Sequence, residues 1–203
     1  PVCTPWRAAF LTGQYPLTNG VFLNDVQLAT DRPTLGTCLK DDGYRTGYIG
    51  KWHLDGNKRA GFTPPGPRRQ GWDYWAVLNC THSYLKSNYY LNDDDQMRKW
   101  DGYDATSQTD VALEFIEQSD QDDQPFALVL SWGPPHNPYR DIPDQYLDLY
   151  PADNVEVRPN CEAPNKADLS GYYAHVTALD DQLGRIQDLL EEKGLMENTV
   201  FIY

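Results

Sequence analysis

The chain of 203 residues is long enough to bury one sizeable core and too short for two independent ones. Its 17 basic and 30 acidic residues leave a formal charge of -13, which argues against nucleic acid or an anionic membrane as a general partner, so an anionic substrate would need a local basic island. The 6 Trp and 14 Tyr exclude a disordered chain, no apolar run reaches membrane-spanning length, and Cys3, Cys38, Cys80 and Cys161 lack the spacing of a zinc site or a disulfide scaffold.

The first predicted element lies in "PVCTPWRAAFLTG". Thr4 is expected to cap a helix from Trp6 to Thr12, with Pro5 at its first position and Gly13 as its stop. Cys3 then sits at a helix N-terminus, where backbone N–H groups favour an anion. Leu35 to Asp42, capped by Thr34 and closed by Gly43, reads as a second short helix with Leu35, Cys38 and Leu39 on its apolar face, and Cys38 as a buried small hydrophobe.

"YRTGYIG" reads as a strand that delivers Lys51 and His53 at its C-terminal end. Residues 55–75 are Pro/Gly-rich and read as a long functional loop, and 76–105 show no dominant period. Arg68, Arg69, His82 and Tyr84, in these irregular stretches, are candidates for lining a substrate pocket. The acidic runs at 92–95 and 120–123 lack the glycine-punctuated spacing of a calcium loop and read as solvated turns.

Thr109 to Gln118 predicts an amphipathic helix, and "PFALVLSW" a buried strand followed at once by His136. Asp168 to Lys193 predicts a long helix with Leu169, Tyr172, Val176, Leu179, Leu183, Ile186 and Leu190 inward and His175 in a structural or surface role, and "TVFIY" predicts a further strand. The alternation implies an α/β fold, a largely parallel sheet flanked by helices with right-handed crossovers. Ligands in such sheets gather at the C-terminal ends of strands, where Lys51, His53 and His136 fall.

"CTPWRAAFLTGQYP", followed downstream by "GKWHL" and "PPHNPY", resembles the type I sulfatases of the alkaline-phosphatase superfamily, and the resemblance spans essentially the whole chain. It implies a sulfatase-like but incomplete fold, residues 1–203 forming part of a catalytic domain. It also implies that Cys3 is oxidised by a formylglycine-generating enzyme to formylglycine, whose hydrate is the nucleophile. Such a hydrate can expel sulfate by collapsing to the carbonyl, whereas a sulfated thiol or alcohol would need a second attack by water.

By the same resemblance, Arg7 holds the hydrate and its charge, and Lys51 binds sulfate and assists the leaving group. His53 hydrogen-bonds the hydroxyl deprotonated for elimination, while His136 contacts sulfate or protonates the leaving oxygen. His82, Arg68 and Arg69 are further substrate-binding candidates. The chain departs from the family at Trp6, where a small residue is usual. The family's divalent cation, usually calcium, takes acidic ligands from segments before the cysteine and after the strand expected at Tyr203; only Cys3, as formylglycine, would be a ligand here. The chain alone is therefore expected to be inactive, a piece of a bacterial enzyme.

The function expected is hydrolysis of a sulfate ester on a sulfated small molecule or polysaccharide, in the periplasm or outside the cell. A phosphonate or phosphate monoester hydrolase of the same superfamily and a non-catalytic carbohydrate-binding relative are the alternatives. A Cys-His thiol hydrolase is disfavoured because nothing recognisable orients the histidine.

Overall fold

A computed structural model describes residues 2–122 and 124–203; Pro1, at the head of the motif, and Asp123, in the second acidic run, lie outside the described residues. Helices α1 (Cys3–Thr12), α2 (Pro16–Asn19) and α3 (Leu35–Asp41) precede strand β1 (Arg45–Lys51). Strands β2 (Tyr74–Leu78), β3 (Asn88–Leu91) and β4 (Arg98–Lys99) follow, then α4 (Asp104–Gln121), β5 (Phe126–Ser131), α5 (Asp144–Leu147) and α6 (Lys166–Glu192).

The sheet order is β4-β3-β2-β1-β5. The three strands β2, β1 and β5 are parallel, with Tyr48 opposite Trp75 on one side and Val129 on the other. β3 and β4 turn back antiparallel, so the sheet is mixed, parallel from β2 to the β5 edge and antiparallel from β2 to the β4 edge. Alternation sends neighbouring residues to opposite layers. Tyr48, Ala127 and Val129 join Ala8 and Leu11 of α1 and the indoles of Trp52, Trp72 and Trp75, while Ile49, Leu128 and Leu130 meet Ala112 of α4. The strand predicted to be buried, β5, lies at the edge of the sheet and all six of its residues are only half-buried, because β1 covers just one of its sides.

Several expectations need correction. α1 starts at Cys3, and Thr4 is inside it: the Thr4 amide donates to Asn24 Oδ1 at 3.0 Å, a cap supplied by a distant loop instead of a local side chain. Gly13 ends the helix as expected, with φ of 65°. Thr34 and Thr37 form the capping box of α3, but Leu35 and Cys38 are exposed and Gly36 is the buried position, pressed against Gln70 and Trp72.

The helix predicted from Thr109 begins five residues earlier, at Asp104, and residues 76–105 hold the rest of β2 together with β3 and β4. On α6, Leu179, Ile186 and Leu190 are buried as expected, but Tyr172 and Val176 are exposed. Ser170, Gly171 and Ala174 take the inner positions because the Tyr139 backbone passes so close that Gly171 has no room for a Cβ. "TVFIY" forms no strand here: among the described residues no ladder partner reaches residues 199–203, and Val200, Ile202 and Tyr203 are exposed while Phe201 packs near Leu190. Of the acidic run at 92–95, Asp93 and Asp94 pair with Arg69 and Arg98.

Candidate active site at the carboxyl ends of the parallel strands

The carboxyl end of β1, the segment after β5, the head of α1 and Asn24 line one open cavity of about 470 Å³, formed by Val2, Cys3, Trp6, Arg7, Asn24, Lys51, Gly133 and His136. Cys3 occupies the first turn of α1 and is half-buried. Lys51 ends β1, and its Nζ lies 3.8 Å from Cys3 Sγ.

Arg7, one turn after Cys3, is locked in place. Its Nη1 donates to the Lys51 carbonyl at 2.7 Å, to Ser131 Oγ at 2.6 Å and to the Tyr48 hydroxyl at 3.3 Å. Ser131 and Tyr48 also donate to that same carbonyl, so one oxygen ties α1 to the ends of β1 and β5. Neither Ser131 nor Tyr48 stands out in the sequence, because hydroxyls in apolar strands carry no motif.

The electrostatics of the pocket set it apart. Arg32, Arg45, Arg68, Arg69, Arg185 and Lys193, the other basic residues not exposed to solvent, each have a carboxylate within 4.0 Å. Arg7 and Lys51 have none among the described residues. Lys51 is nevertheless 6% exposed. A buried ammonium without a counter-charge is costly unless an anion is meant to sit beside it. In a chain of net charge -13 this pair is the local basic island that an anionic substrate requires.

The histidines divide by surroundings. His136 is exposed at the rim, its Nδ1 donating to the Asn137 carbonyl at 2.8 Å, and its ring stacks on that of His82 with centroids 4.5 Å apart. His82 Nε2 faces the Lys51 ammonium at 3.2 Å and so accepts from it. Partial burial of the ring, then the Lys51 charge, push His82 down to about 4 even though the residue as a whole is exposed, which favours its neutral form. Tyr84 stays beneath the rim, donating its hydroxyl to the carbonyls of His136 and Asn137.

His53 is 1% exposed and sits at a φ of 58°, a left-handed conformation that a non-glycine residue seldom adopts and that clusters at functional sites. Its amide donates to the Asn79 carbonyl beyond β2, which fixes the turn. Nε2 lies 2.9 Å from Asp25 Oδ1, whereas the buried Nδ1 has no partner among the described residues. Burial lowers the His53 pKa against the opposing pull of Asp25. Asp25 itself is lowered to about 2, chiefly by hydrogen bonds from Arg59 and then His53. Asp25 carries no motif, and its partner is 28 residues away in the chain.

Arg68 and Arg69 do not line the cavity. Arg68 makes a bidentate pair with buried Asp55, and Arg69, itself buried, donates to the Thr63 and Asn92 carbonyls beneath the Trp75 ring. Their guanidinium groups hold the long loop together.

The family model for sulfatases matches residues 1–203. The chain belongs to the sulfatase family. It is 42% identical to the ulvan-active sulfatase of Formosa agariphila over 207 residues, covering 100% of this chain and 40% of that protein. It is 27% identical to the endo-4-O-sulfatase of Bacteroides thetaiotaomicron, covering 100% of this chain and 46% of that protein. The yidJ crystal structure from Bacteroides fragilis superposes with a TM-score of 0.90 at 30% identity, over 98% of this chain and 50% of that one. This sulfatase-family chain therefore spans half, or less, of the length of these relatives.

The cation expected of a sulfatase finds no fit among these residues. Among the described residues no group of three or more His, Cys, Asp or Glu side chains is placed to hold a metal ion, and the cavity offers cationic and neutral groups where a hard cation needs six or more oxygen ligands. No step below is routed through a metal. No helix among the described residues is long and apolar enough to cross a membrane.

Proposed function

We propose that the protein carrying this chain hydrolyses a sulfate ester on a carbohydrate, with Cys3 matured to formylglycine by the formylglycine-generating enzyme. The observation that carries this reading is the pair of uncompensated cations, Arg7 and Lys51, beside Cys3. The formylglycine supplies a hydrated aldehyde that can take the sulfuryl group and release it as sulfate with cleavage of carbon–oxygen.

The chain's own residues do the rest. Arg7, immobilised by its three acceptors, presents a fixed positive charge one turn below the nucleophile and loses no freedom when the anion binds. The Lys51 ammonium, held by neutral His82, binds a sulfate oxygen and stabilises the charge that spreads onto it in the transition state. His136 keeps its Nδ1 proton on a backbone carbonyl, which leaves Nε2 as the ring nitrogen available to the departing oxygen. His53, neutral and buried, is suited to accept a proton from the nucleophile.

A carbohydrate substrate is supported by the ulvan-active relative and by Trp6, 56% exposed on the cavity wall and stacked on Phe10 as a flat apolar platform. A polymeric substrate would place the protein in the periplasm or outside the cell. The test is sulfate release from a panel of sugar and aryl sulfates by the natural full-length protein with Cys3 converted and calcium present. Release faster than from matched phosphate and phosphonate esters is expected. No release from any sulfate overturns the proposal, and faster phosphate or phosphonate cleavage reassigns the site.

A further inference from the structure

Asp25 is the acidic residue that the sequence gives no reason to notice and that the site uses most heavily. The Asn24–Asp25 turn holds the head of α1 from both sides: Asn24 Oδ1 accepts the Thr4 amide at 3.0 Å, and the Asp25 amide donates to Thr4 Oγ1 at 3.3 Å. Thr4 directly follows the nucleophile position. From the same turn, Asp25 at a φ of 64° directs its carboxylate to His53 Nε2 at 2.9 Å, and Arg59 clamps it with bonds of 3.0 and 2.7 Å. One short turn thus ties the helix that bears Cys3 to the histidine behind it.

An ionised carboxylate can only accept, so the nitrogen facing it must carry the hydrogen. A neutral imidazole has one such hydrogen, and Nδ1 is left with a bare lone pair. That nitrogen is buried and has no donor among the described residues, so its lone pair stays open to a proton.

We propose that Asp25 is a positioning residue that fixes His53 as the Nε2–H tautomer and leaves Nδ1 as the proton acceptor of the site. The proposal rests on the sulfatase reading for what the acceptor serves, but the tautomer is a property of this chain and can be read without turnover. Arg59 completes the arrangement by keeping Asp25 ionised and aimed. Asp25 acts through His53, and no contact of its own with substrate is required.

The experiment uses the natural full-length protein labelled with 15N at histidine, the His53 signals being assigned by their absence in His53→Gln. Wild type should show a protonated Nε2, its proton shifted far downfield by the carboxylate, and an unprotonated Nδ1. In Asp25→Asn the downfield proton should be lost and kcat should fall on the order of 100-fold with KM little changed, while Asp25→Glu should restore part of kcat. A protonated Nδ1 in wild type overturns the proposal, as does an Asp25→Asn variant whose kcat is unchanged. Should Asp25→Asn fail to fold, the wild-type tautomer still decides. A wild type that releases no sulfate sinks the proposed function but leaves the histidine signals to decide for or against Asp25.

Discussion

His53 and His175 are both fully buried, both have lowered pKa values, and each has one ring nitrogen bonded and the other without a partner among the described residues. Only their neighbourhoods differ. His175 Nδ1 meets the Tyr103 hydroxyl at 2.8 Å in a layer of Tyr84, Ala174, Ala178 and Leu179, where desolvation pushes it down to about 4 against the opposing pull of the Pro138 backbone and the Asp141 charge. His53 meets an ionised carboxylate in strained backbone, with Lys51 and Arg7 close enough to bear on its charge. Burial and a perturbed pKa therefore do not mark a catalytic histidine by themselves. What sets His53 apart is the pair of cations, Arg7 and Lys51, that bear on it without a carboxylate of their own among the described residues.

Four substitutions in the natural full-length protein sharpen that contrast. Lys51→Met removes one of the two free cations and should lower kcat by about 100- to 1000-fold in sulfate-release assays with the fold intact; a rate near wild type would show that the cation pair is structural. His175→Gln should leave the rate within about twofold and instead alter stability against pH. The sign follows from its lowered folded pKa: above 6.5 both states are neutral, and as pH falls from 6.5 towards 4 the unfolded chain takes a proton that the folded chain refuses. Roughly 3 kcal/mol of stability should disappear across that window, and urea titrations at several pH values should show the variant with a flatter slope.

Arg68→Gln leaves the Asp55 carboxylate, only 5% exposed, with Thr63 as its remaining side-chain donor. It should cost about 1–3 kcal/mol by denaturant titration with little change in KM, since Arg68 is outside the cavity. A large rise in KM would return Arg68 to the substrate site. Cys38→Ser, on the exposed face of α3, should change stability by less than about 0.5 kcal/mol, whereas the face predicted from sequence would make it costly.

The parts of the fold that could be read from sequence are those governed by local period. β1, β5 and α6 appear close to where the local pattern places them, α4 does so except for its first five residues, and the "GKWHL" and "PPHNPY" segments follow strands that the sequence shows plainly. The errors arise where a distant contact overrules a local preference. Asn24 caps α1 in place of Thr4, Tyr139 forces small residues onto the inner face of α6, and the residues at 199–203 have strand composition without a strand partner. At the site, the motif residues Cys3, Arg7, Lys51 and His136 share one cavity, whereas His53 is not part of its lining, and Asp25 and Ser131 can be found only once the chain is folded. Arg68 and Arg69 misled because a basic loop looks the same in sequence whether its charges face a substrate or a buried aspartate.

The central claim is that Cys3 is the precursor of the nucleophile. The most direct measurement is a mass spectrum of the Cys3 peptide from natural full-length protein made in its own host. The account predicts that the thiol is replaced by the formylglycine aldehyde or its hydrate in the active preparation. An unmodified thiol in protein that releases sulfate at full rate would contradict it.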